Sequence, residues 1–534
     1  NLKFDIQFLY KYNIIPRKVY DTMIVEQLLY MGYPTGIISY SLKAIAERYL
    51  GIDIDKSVRG EIIWRGLDTS VIKYAAGDVQ FLGDIMKLQL KECNKKSCKV
   101  GAKLECDFVP VIAYLEWCGI KLDENKWRAK MMNDNIKLQN ALNALNSYCI
   151  NHPKLQKWVY VNLQGDLFSG FNTEPQWKID WQKDEAKEVF KALGFKLDTI
   201  SKTTKKETES VTEKLLSVQK GIDDVFLKLY FDYQGYYKVT TSFGQGHLNL
   251  INPITGRIHT NYWQIGTASG RMSSGSGEDS DIAKLKKLPS SKVKMVNMQQ
   301  LPHDAETRGC FVSEKDNLFC SCDYAAMEAR IGAEVYNEKT LLDEFLYGSG
   351  DTHAAYAKVV FADELKDVAV KDIKKVRPDL RNKVKSVEFA VQFGSDGTAV
   401  APQLSISVEE ARQLVNNLLK GMTGLANFKR IGSKNVRKLG YVEAHPLTGH
   451  KCYWWDHQKW LERQASFTSE FWDNYKAYHK GTESAVAREV KEHFQAASKW
   501  DRMALNAPTQ GTLIIIVKDA TTRFFNWIVD NGLF

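Results

Sequence analysis

The spacing of apolar and polar positions predicts a chain built mainly from amphipathic helices. Residues 42–50 repeat apolar side chains at helical spacing and stop at Gly51, a residue that commonly ends a helix. Residues 378–394 carry the strongest helical pattern, and Pro378 suits a first helical turn. Residues 124–235 are mostly helical by the same criterion. We therefore expect helices to dominate, with short strands between them.

One apolar run stops abruptly at a carboxylate. Leu318–Cys322 predicts a buried strand that ends at Asp323, and the helical spacing of Met327, Ile331 and Val335 predicts a helix directly behind it. A strand that delivers an aspartate to such a junction suits a metal ligand. An aspartate in this position is also typical of an ordinary N-cap.

Composition narrows the class of protein. A length of 534 residues predicts roughly three to four domains, and a net charge of +9 is compatible with a polyanionic partner. The nine cysteines show no metal-binding spacing, so we expect Cys320 and Cys322 to be reduced thiols on a buried strand. No apolar run approaches the roughly 18 residues of a membrane helix and no signal peptide is visible, which favours a cytoplasmic setting.

The first 95 residues contain a phenol and a carboxylate one helical turn apart. Tyr74 and Asp78 share a helix face, which suits metal-assisted phosphodiester hydrolysis and also describes an ordinary surface pair. With Asp5 in the N-terminal helix, they resemble the second and third motifs of the 3′–5′ exonuclease domain of many DNA polymerases. The resemblance implies metal binding by both aspartates and water orientation by Tyr74. The family's first motif would precede Asn1, so we expect an exonuclease fragment and predict no nuclease activity from it.

A lysine-rich stretch separates this segment from the next. Residues 91–103 are predicted to be a linker, and a long helix over 105–123 follows. The helical pattern is interrupted at 158–177, which is rich in Asn, Trp and Gly, and at 201–206, which is polar. The basic stretch 201–206 either follows a phosphate backbone or forms a solvated loop. We interpret the helical region as an arm that grips duplex nucleic acid.

Three motifs in sequence resemble those of family A DNA polymerases, the group of bacterial DNA polymerase I and its phage relatives. They are Thr255–Thr260, Thr267–Ser274 and Asn297–Pro302, which are close to the family's "TGRIHT", "TxTGRLSS" and "PNLQNIP". The basic stretch 275–294 between the second and third is an insertion, which we expect to form a loop.

The second and third motifs imply a test of base-pair shape. All four base pairs present minor-groove acceptors at nearly equivalent places, so a donor there rewards correct geometry without reading sequence. The resemblance assigns this role to Arg271 and Gln299, with Asn297 supporting them.

Asp323 matches the aspartate of the family's motif A, "DYSxIExR". The resemblance implies that Asp323 bridges two Mg²⁺ ions, which Mn²⁺ can replace, and that the Tyr324 carbonyl is a further ligand. Glu328 matches the residue that closes the ribose 2′ side and favours deoxynucleotides. Ala325 and Ala326 replace the commoner Ser and Gln, for which we expect only small changes in packing.

The helix at 378–394 resembles motif B, "RxxxKxxxFGxxYG". Arg381 and Lys385 lie on one face and would neutralise a triphosphate, and Lys385 would also protonate the leaving pyrophosphate. Phe389 would stack near the sugar and base. Phe393 stands where tyrosine is usual, a change that affects template positioning rather than activity.

Two further motifs complete the resemblance. Gly350–His353 is similar to the family's "DxH", whose histidine contacts the incoming triphosphate, which implies this role for His353. Residues 501–512 resemble "ERxxxNxPxQG", a helix that contacts primer and template. The residues that match its polar positions are Arg502, Asn506 and Gln510.

We therefore expect an α/β multidomain protein: an RNase H-like exonuclease fragment followed by a right-hand polymerase with an antiparallel palm sheet and helical thumb and fingers. The predicted segments are 1–95 (partial exonuclease domain), 96–235 (polymerase start and thumb), 236–340 (palm with motif A), 341–440 (fingers with motif B), 441–494 (insertion without an assigned role) and 495–534 (return to the palm).

Three functional hypotheses remain open on the sequence. The first is a template-directed DNA polymerase that binds primer-template DNA and dNTPs and has its motif C "HDE" beyond Phe534. The second is a catalytically incompetent module that grips primer-template. The third is one chain of a split enzyme that needs a complementary chain. A processivity factor is a further candidate partner, and no membrane is expected.

Overall fold

The structure is a computed structural model that describes residues 1–34, 36–54, 66–161, 174–200, 207–216, 219, 221–275, 286–289, 293–392, 394, 397, 400–404, 406–473 and 485–534. These residues form two units. The first comprises Asn1–Cys118, Asn261–Ser274 and Ser321–Phe534, and the second comprises Gly119–Thr260 and Gly275–Cys320. Residues 201–206 and most of 275–294, which carry the expected basic loop and insertion, lie outside the described ranges.

The first unit is mainly helical. Its helices are Leu2–Tyr10, Thr22–Leu29, Leu42–Leu50, Thr69–Gln80, Leu82–Lys95, Lys99–Cys118, Met327–Val335, Lys339–Tyr347, Thr352–Val360, Val370–Val376, Pro378–Gln392, Val400–Leu404, Val408–Gly421, Thr423–Leu439, His457–Ala465 and Ala485–Asp530. Its strands are Tyr262–Trp263, Ser273–Ser274, Tyr441–His445 and His450–Tyr453, which pair in sequence order into two antiparallel hairpins.

The second unit combines a long helix with short strands. Its α-helices are Glu124–Asn151, Ala186–Leu193, Glu213–Leu216, Asp224–Ser242, Gln245–Asn249 and Ala305–Arg308, and its 3₁₀ turns are Pro153–Trp158 and Met298–Gln300. Its antiparallel strand pairs are Ile120–Lys121 with Arg257–Ile258, Val159–Val161 with Pro175–Trp177, and Asp198–Ile200 with Glu207–Glu209.

Local sequence signals place several helix ends where they were predicted. The helix Leu42–Leu50 begins after Ser41, whose hydroxyl accepts a hydrogen bond from the backbone N–H of Ala44. It ends at Gly51, which adopts a left-handed conformation with φ of 68°. The predicted helices that begin at residue 2 and at Pro378 are also confirmed.

Each unit has its own hydrophobic core. In the first, the helices Thr352–Val360, Pro378–Gln392 and Val408–Gly421 enclose buried aliphatic side chains such as Val384 and Val415. In the second, leucine and aromatic side chains pack together, and Phe190 packs edge-on against Phe226.

The region without an assigned role, 441–494, contributes to a further core of the first unit. Trp454 follows the second strand of the hairpin and stacks on Trp500 with ring centroids 5.5 Å apart. Trp454 also lies 5.0 Å from Trp460, measured between ring centroids. Trp454 and Trp460 of this region are therefore part of a core, whereas Trp455 and Trp472 are exposed. Residues 474–484 lie outside the described residues.

The predicted linker at 91–103 is wrong. Residues up to Lys95 complete one helix and Lys99 begins the next, which leaves three connecting residues. The lysines of the two helices are exposed, whereas Lys96, between the helices, is half-buried and donates to a backbone carbonyl at 2.6 Å. Cys93 and Ala102 pack inside. A high lysine content therefore marked the solvent side of two amphipathic helices.

The predicted buried strand at Leu318–Cys322 is also wrong. The segment adopts no regular secondary structure, and Leu318 and Phe319 are 95% and 59% exposed. Cys320 and Cys322 are exposed as well, contrary to the expectation of buried thiols. An apolar run forms a buried strand only where neighbouring strands pair with its backbone and a core covers its side chains.

None of the helices in the described part of the chain has the length and apolar character needed to span a membrane.

Candidate active site

Arg381 is held by an aspartate from the neighbouring helix. Its Nε donates to both carboxylate oxygens of Asp351, at 2.8 and 3.1 Å. Asp351 also caps the helix Thr352–Val360 by accepting from the backbone N–H of Ala354 at 3.1 Å. Burial acts to raise the pKa of Asp351, but the hydrogen bonds from Arg381 and Ala354 outweigh it and lower that pKa. The Nε end of the guanidinium is thereby fixed.

His353 is held in a similar way. Its Nδ1 lies 2.5 Å from Oε2 of Glu388, on the helix Pro378–Gln392. Glu388 is 4% exposed, and the side chain of His353 is 22% exposed. The structure therefore brings His353 and Arg381 to the same pair of helices.

The structure describes the other predicted residues of the helix Pro378–Gln392 and its end only in part. Lys385 is exposed. Phe389 lies within the helix, but its side chain is outside the described atoms, and Phe393 lies outside the described residues. The backbone at Gly394 has φ of 74°, and a Cβ there would come within 2.5 Å of Cγ of Arg502. Glycine at this position therefore lets the helix end approach Arg502.

Arg271 lies at the end of a tight loop of the first unit. The hydroxyl of Thr267 accepts from the backbone N–H of Arg271 at 3.0 Å, and the carbonyl of Arg271 accepts from Gly266 and Thr267. Gly270 supplies the left-handed backbone that the loop requires, with φ of 81°. The Arg271 side chain is exposed, so a rigid backbone presents it to solvent.

The long helix Ala485–Asp530 carries the three residues of the last motif. Gln510 lies beside the Arg271 loop, where its Oε1 accepts a long hydrogen bond of 3.5 Å from the hydroxyl of Ser269. Arg502 is exposed and Asn506 is half-buried. The structure thus links Gln510 to the loop that carries Arg271.

Asn297 and Gln299 belong to the second unit. The Asn297 side chain accepts from the backbone N–H of Gln299 at 3.0 Å and caps the turn Met298–Gln300. Gln299 is exposed. The supporting role of Asn297 stays a prediction.

Asp323 lies on an exposed, irregular segment of the first unit. The following helix, Met327–Val335, begins after Ala326, which has φ of 50°, and no side chain caps it. Asp323 is therefore not its N-cap. Tyr324 is exposed, and Glu328 is half-buried in the first turn of the helix.

A divalent-metal site requires several convergent ligands. Over the ranges that the structure describes, no three His, Cys, Asp or Glu side chains converge on a common point. Asp323 accordingly contributes one carboxylate without completing an ion site there. Asp5 on the helix Leu2–Tyr10 and Asp78 on the helix Thr69–Gln80, which also carries Tyr74, likewise belong to no convergent set of metal ligands among the described residues.

Sequence reasoning missed a buried polar cluster in the first unit. Glu105 and Lys518 are both 0% exposed, and Lys518 Nζ lies 2.7 and 2.9 Å from the two carboxylate oxygens. His450 and Gln264 also contact this carboxylate, at 3.0 and 2.5 Å. Lys518 additionally donates to the carbonyl of Gly270, next to Arg271, at 3.2 Å.

The charges of this cluster compensate one another. Burial acts to raise the pKa of Glu105, but the Lys518 ammonium and the hydrogen bond from His450 outweigh it and lower that pKa to about 2. The signal in the sequence was a glutamate on the otherwise apolar face of a long helix. Asp351 and Glu388 were also missed as partners, since nothing in the sequence indicates which carboxylate meets which cation.

Comparison with known proteins gives a consistent result. The family model described as DNA polymerase family A matches residues 173–533, and a 3′-5′ exonuclease model matches residues 1–94. DNA polymerase I of Aquifex aeolicus is 25% identical over 477 residues, which cover 84% of this chain and 71% of that protein. DNA polymerase I of Caldicellulosiruptor bescii is 24% identical over 499 residues, which cover 93% of this chain and 47% of that protein.

A solved structure shows the same fold. The POL domain of Pol1 from M. smegmatis, in complex with DNA primer-template and dNTP, superimposes with a TM-score of 0.65 at 19% identity and covers 96% of this chain and 72% of that chain. The predicted fold class is therefore confirmed. The chain spans about half the length of several curated relatives, among them the C. bescii protein. With the polymerase model matching about two thirds of its residues and the motifs described above in the expected order, the chain belongs to DNA polymerase family A.

Proposed function

We propose that this chain adds dNTPs to a primer 3′-OH in template-directed nucleotidyl transfer. The observation that carries the proposal is the pair of helices Thr352–Val360 and Pro378–Gln392, on which Arg381 and His353 are each fixed by a carboxylate. Fixed polar groups stabilise the charge of a triphosphate better than mobile ones, because they need no reorganisation during the reaction.

Residues of this helix pair and of the helix Met327–Val335 contact different parts of the nucleotide. Arg381, Lys385 and His353 contact the triphosphate, and Lys385, which is exposed, donates a proton to the leaving pyrophosphate. Glu328 closes the 2′ side of the ribose. Phe389 and Phe393 stack beside the base.

Two sets of polar residues hold the DNA. Arg271 and Gln299 donate to minor-groove acceptors, and the rigid loop of Arg271 and the Asn297 contact to Gln299 support this role. Arg502, Asn506 and Gln510 contact primer and template from one helix. The net charge of +9 favours the same polyanion.

Family A polymerases depend on divalent metal ions. We assign Asp323 and the carbonyl of Tyr324 as ligands of Mg²⁺, with Mn²⁺ as a substitute, because they match motif A and Asp323 is open to solvent. Asp5 and Asp78, with Tyr74, are the corresponding candidates in the exonuclease segment. The same proposal includes the boundaries given above for thumb, palm and fingers. It also includes a cytoplasmic location and, as partner, a processivity factor or complementary chain.

Primer extension tests the proposal directly. The purified chain, a labelled primer-template, Mg²⁺ and four dNTPs are compared with the same mixture containing Asp323→Ala. Extension by the natural chain and none by the variant is the expected result. Salt-dependent DNA binding without extension would identify a primer-template-binding module, and extension only after addition of a second polypeptide would identify a split enzyme.

A further inference from the structure

Glu388 is a buried carboxylate in the region assigned to a polyanionic substrate. It lies one residue before Phe389 on the helix Pro378–Gln392, and 4% of its surface is exposed. Its Oε2 contacts Nδ1 of His353 at 2.5 Å. The backbone of the same helix presents Arg381 and Lys385, so Glu388 is an anion among the cations that a triphosphate requires.

An anion in this place has two physical costs. A buried carboxylate loses hydration, which only pairing and hydrogen bonding offset. It also repels the phosphates of a nucleotide and reduces the local positive charge. A contact that improves nucleotide binding in another way would compensate for both costs.

The geometry of the imidazole ring supplies that compensation. Nδ1 and Nε2 lie on opposite sides of the ring, so a ring held through Nδ1 directs Nε2 away from Glu388. A carboxylate in contact with Nδ1 fixes the orientation of the ring. This arrangement resembles in principle a metal-bound histidine that is oriented by a carboxylate behind it.

We propose that Glu388 is a positioning residue that holds His353 through Nδ1 so that Nε2 faces the triphosphate of an incoming nucleotide. The inference rests on the nucleotide contact proposed above for His353. Glu388 itself does not touch the substrate, and its effect on binding passes through His353.

Equilibrium binding tests this coupling without requiring catalysis. The probes are a fluorescent dATP and inorganic tripolyphosphate, with deoxyadenosine as a probe that lacks phosphate. We expect Glu388→Ala to weaken binding of both phosphate probes about tenfold, the effect of losing one charge-assisted hydrogen bond, and to leave deoxyadenosine unchanged. Glu388→Gln keeps an oxygen acceptor for Nδ1–H and is expected to restore most of the affinity.

A double-mutant cycle separates positioning from general damage. In a His353→Ala background, Glu388→Ala is expected to add no further loss, because the residue through which it acts is gone. Glu338→Ala is the matched control, since Glu338 is also a buried carboxylate of the first unit but accepts from the backbone N–H of Leu425. Its loss tests whether removal of any buried carboxylate weakens binding.

Each alternative outcome is distinct. Tighter phosphate binding by Glu388→Ala would show that the carboxylate acts only by repulsion, and an undiminished effect without His353 would show that it acts elsewhere; either overturns the inference. A chain that extends primers but binds tripolyphosphate equally with and without His353 would overturn this inference alone. A chain that shows the predicted binding pattern but extends no primer would overturn the proposed catalysis alone.

Discussion

Two carboxylates of the first unit, Glu105 and Asp323, occupy opposite extremes of environment. Glu105 is completely buried, and Lys518, His450 and Gln264 hold it from three other parts of the chain. Asp323 is exposed on a segment without regular secondary structure. The buried group has its contacts inside the protein, whereas the exposed group is available to a ligand. The comparison separates a carboxylate that organises the fold from one that we assign to chemistry.

The largest expected effect is on the buried side of this comparison. Glu105→Ala leaves Lys518 buried without its counter-charge, and we expect a loss of about 3–5 kcal/mol in the free energy of unfolding. Urea unfolding at pH 7 measures it. The double variant Glu105→Leu/Lys518→Met removes both charges and is expected to recover part of the loss. A loss below about 1 kcal/mol in the single variant would contradict the structural role.

For the exposed carboxylate, Asp323, we expect a large effect on activity and a small effect on stability. Asp323→Ala is expected to reduce the rate of primer extension at least about 100-fold, as for loss of a preorganised charged group. Its free energy of unfolding is expected to stay within about 0.5 kcal/mol, as for other exposed positions. Extension assays and urea unfolding on the same preparation check both. A clear loss of stability in Asp323→Ala would contradict the distinction between Asp323 and Glu105.

The dependence of stability on acid pH extends the comparison to His247 of the second unit. Its ring nitrogens are buried and have no hydrogen-bond partner among the described residues. Burial, with a smaller contribution from Lys130, lowers the pKa of His247 to about 4 from its ordinary 6.5. The unfolded chain therefore binds the proton first, and stability falls as pH falls from about 6.5 to 4. Between pH 7 and 5 we expect a loss of about 2 kcal/mol from this group.

The contribution of Glu105 responds in a different pH window. The pKa of its carboxyl is lowered from 4.5 to about 2, so its contribution is complete above pH 4.5 and is lost as pH falls from 4.5 towards 2. Unfolding at pH 7 and pH 5 in the natural chain and in His247→Phe separates the two groups. His493, whose pKa burial also lowers to about 4, keeps its own slope in that variant. An identical slope in both proteins would contradict the assignment to His247.

The smallest expected effect concerns Asp351, which lies between the two extremes because it is half-buried and holds a cation that we assign to substrate. Asp351→Asn keeps an oxygen that caps the helix Thr352–Val360 but loses the ion pair with Arg381. We expect KM for dNTPs to rise about threefold, the scale of a partly exposed ion pair, with little change in kcat. Steady-state extension over a range of dNTP concentrations measures both constants.

Much of the fold was predictable because helical spacing and end signals act locally. Gly51 ends one helix and Pro378 begins another, as the sequence indicated. The strand at Leu318–Cys322 failed because an apolar run does not specify whether other strands and a core surround it. The linker failed because the same lysines suit a loop or the outer face of a helix.

In the candidate site, too, local features were predicted from the sequence, whereas contacts between distant residues were not. Motif spacing predicted that Arg381 and Lys385 share a helix and that His353 belongs near a triphosphate, although the roles of these residues remain predictions. The partners Asp351 and Glu388 were not predicted, because a contact between residues 30 or more positions apart depends on how two helices pack. Glu105 was hidden for the same reason, since its counter-charge lies 413 residues along the chain.

That separation has a consequence for synthesis on the ribosome. At about 5–20 residues per second, Lys518 is translated roughly 20–80 s after Glu105. Throughout this interval the nascent helix Lys99–Cys118 carries a carboxylate whose ammonium partner does not yet exist. The second unit lies wholly between the two residues in sequence, so all of its residues are translated before the ion pair of the first unit can form. The buried ion pair therefore forms only after Lys518 has been translated.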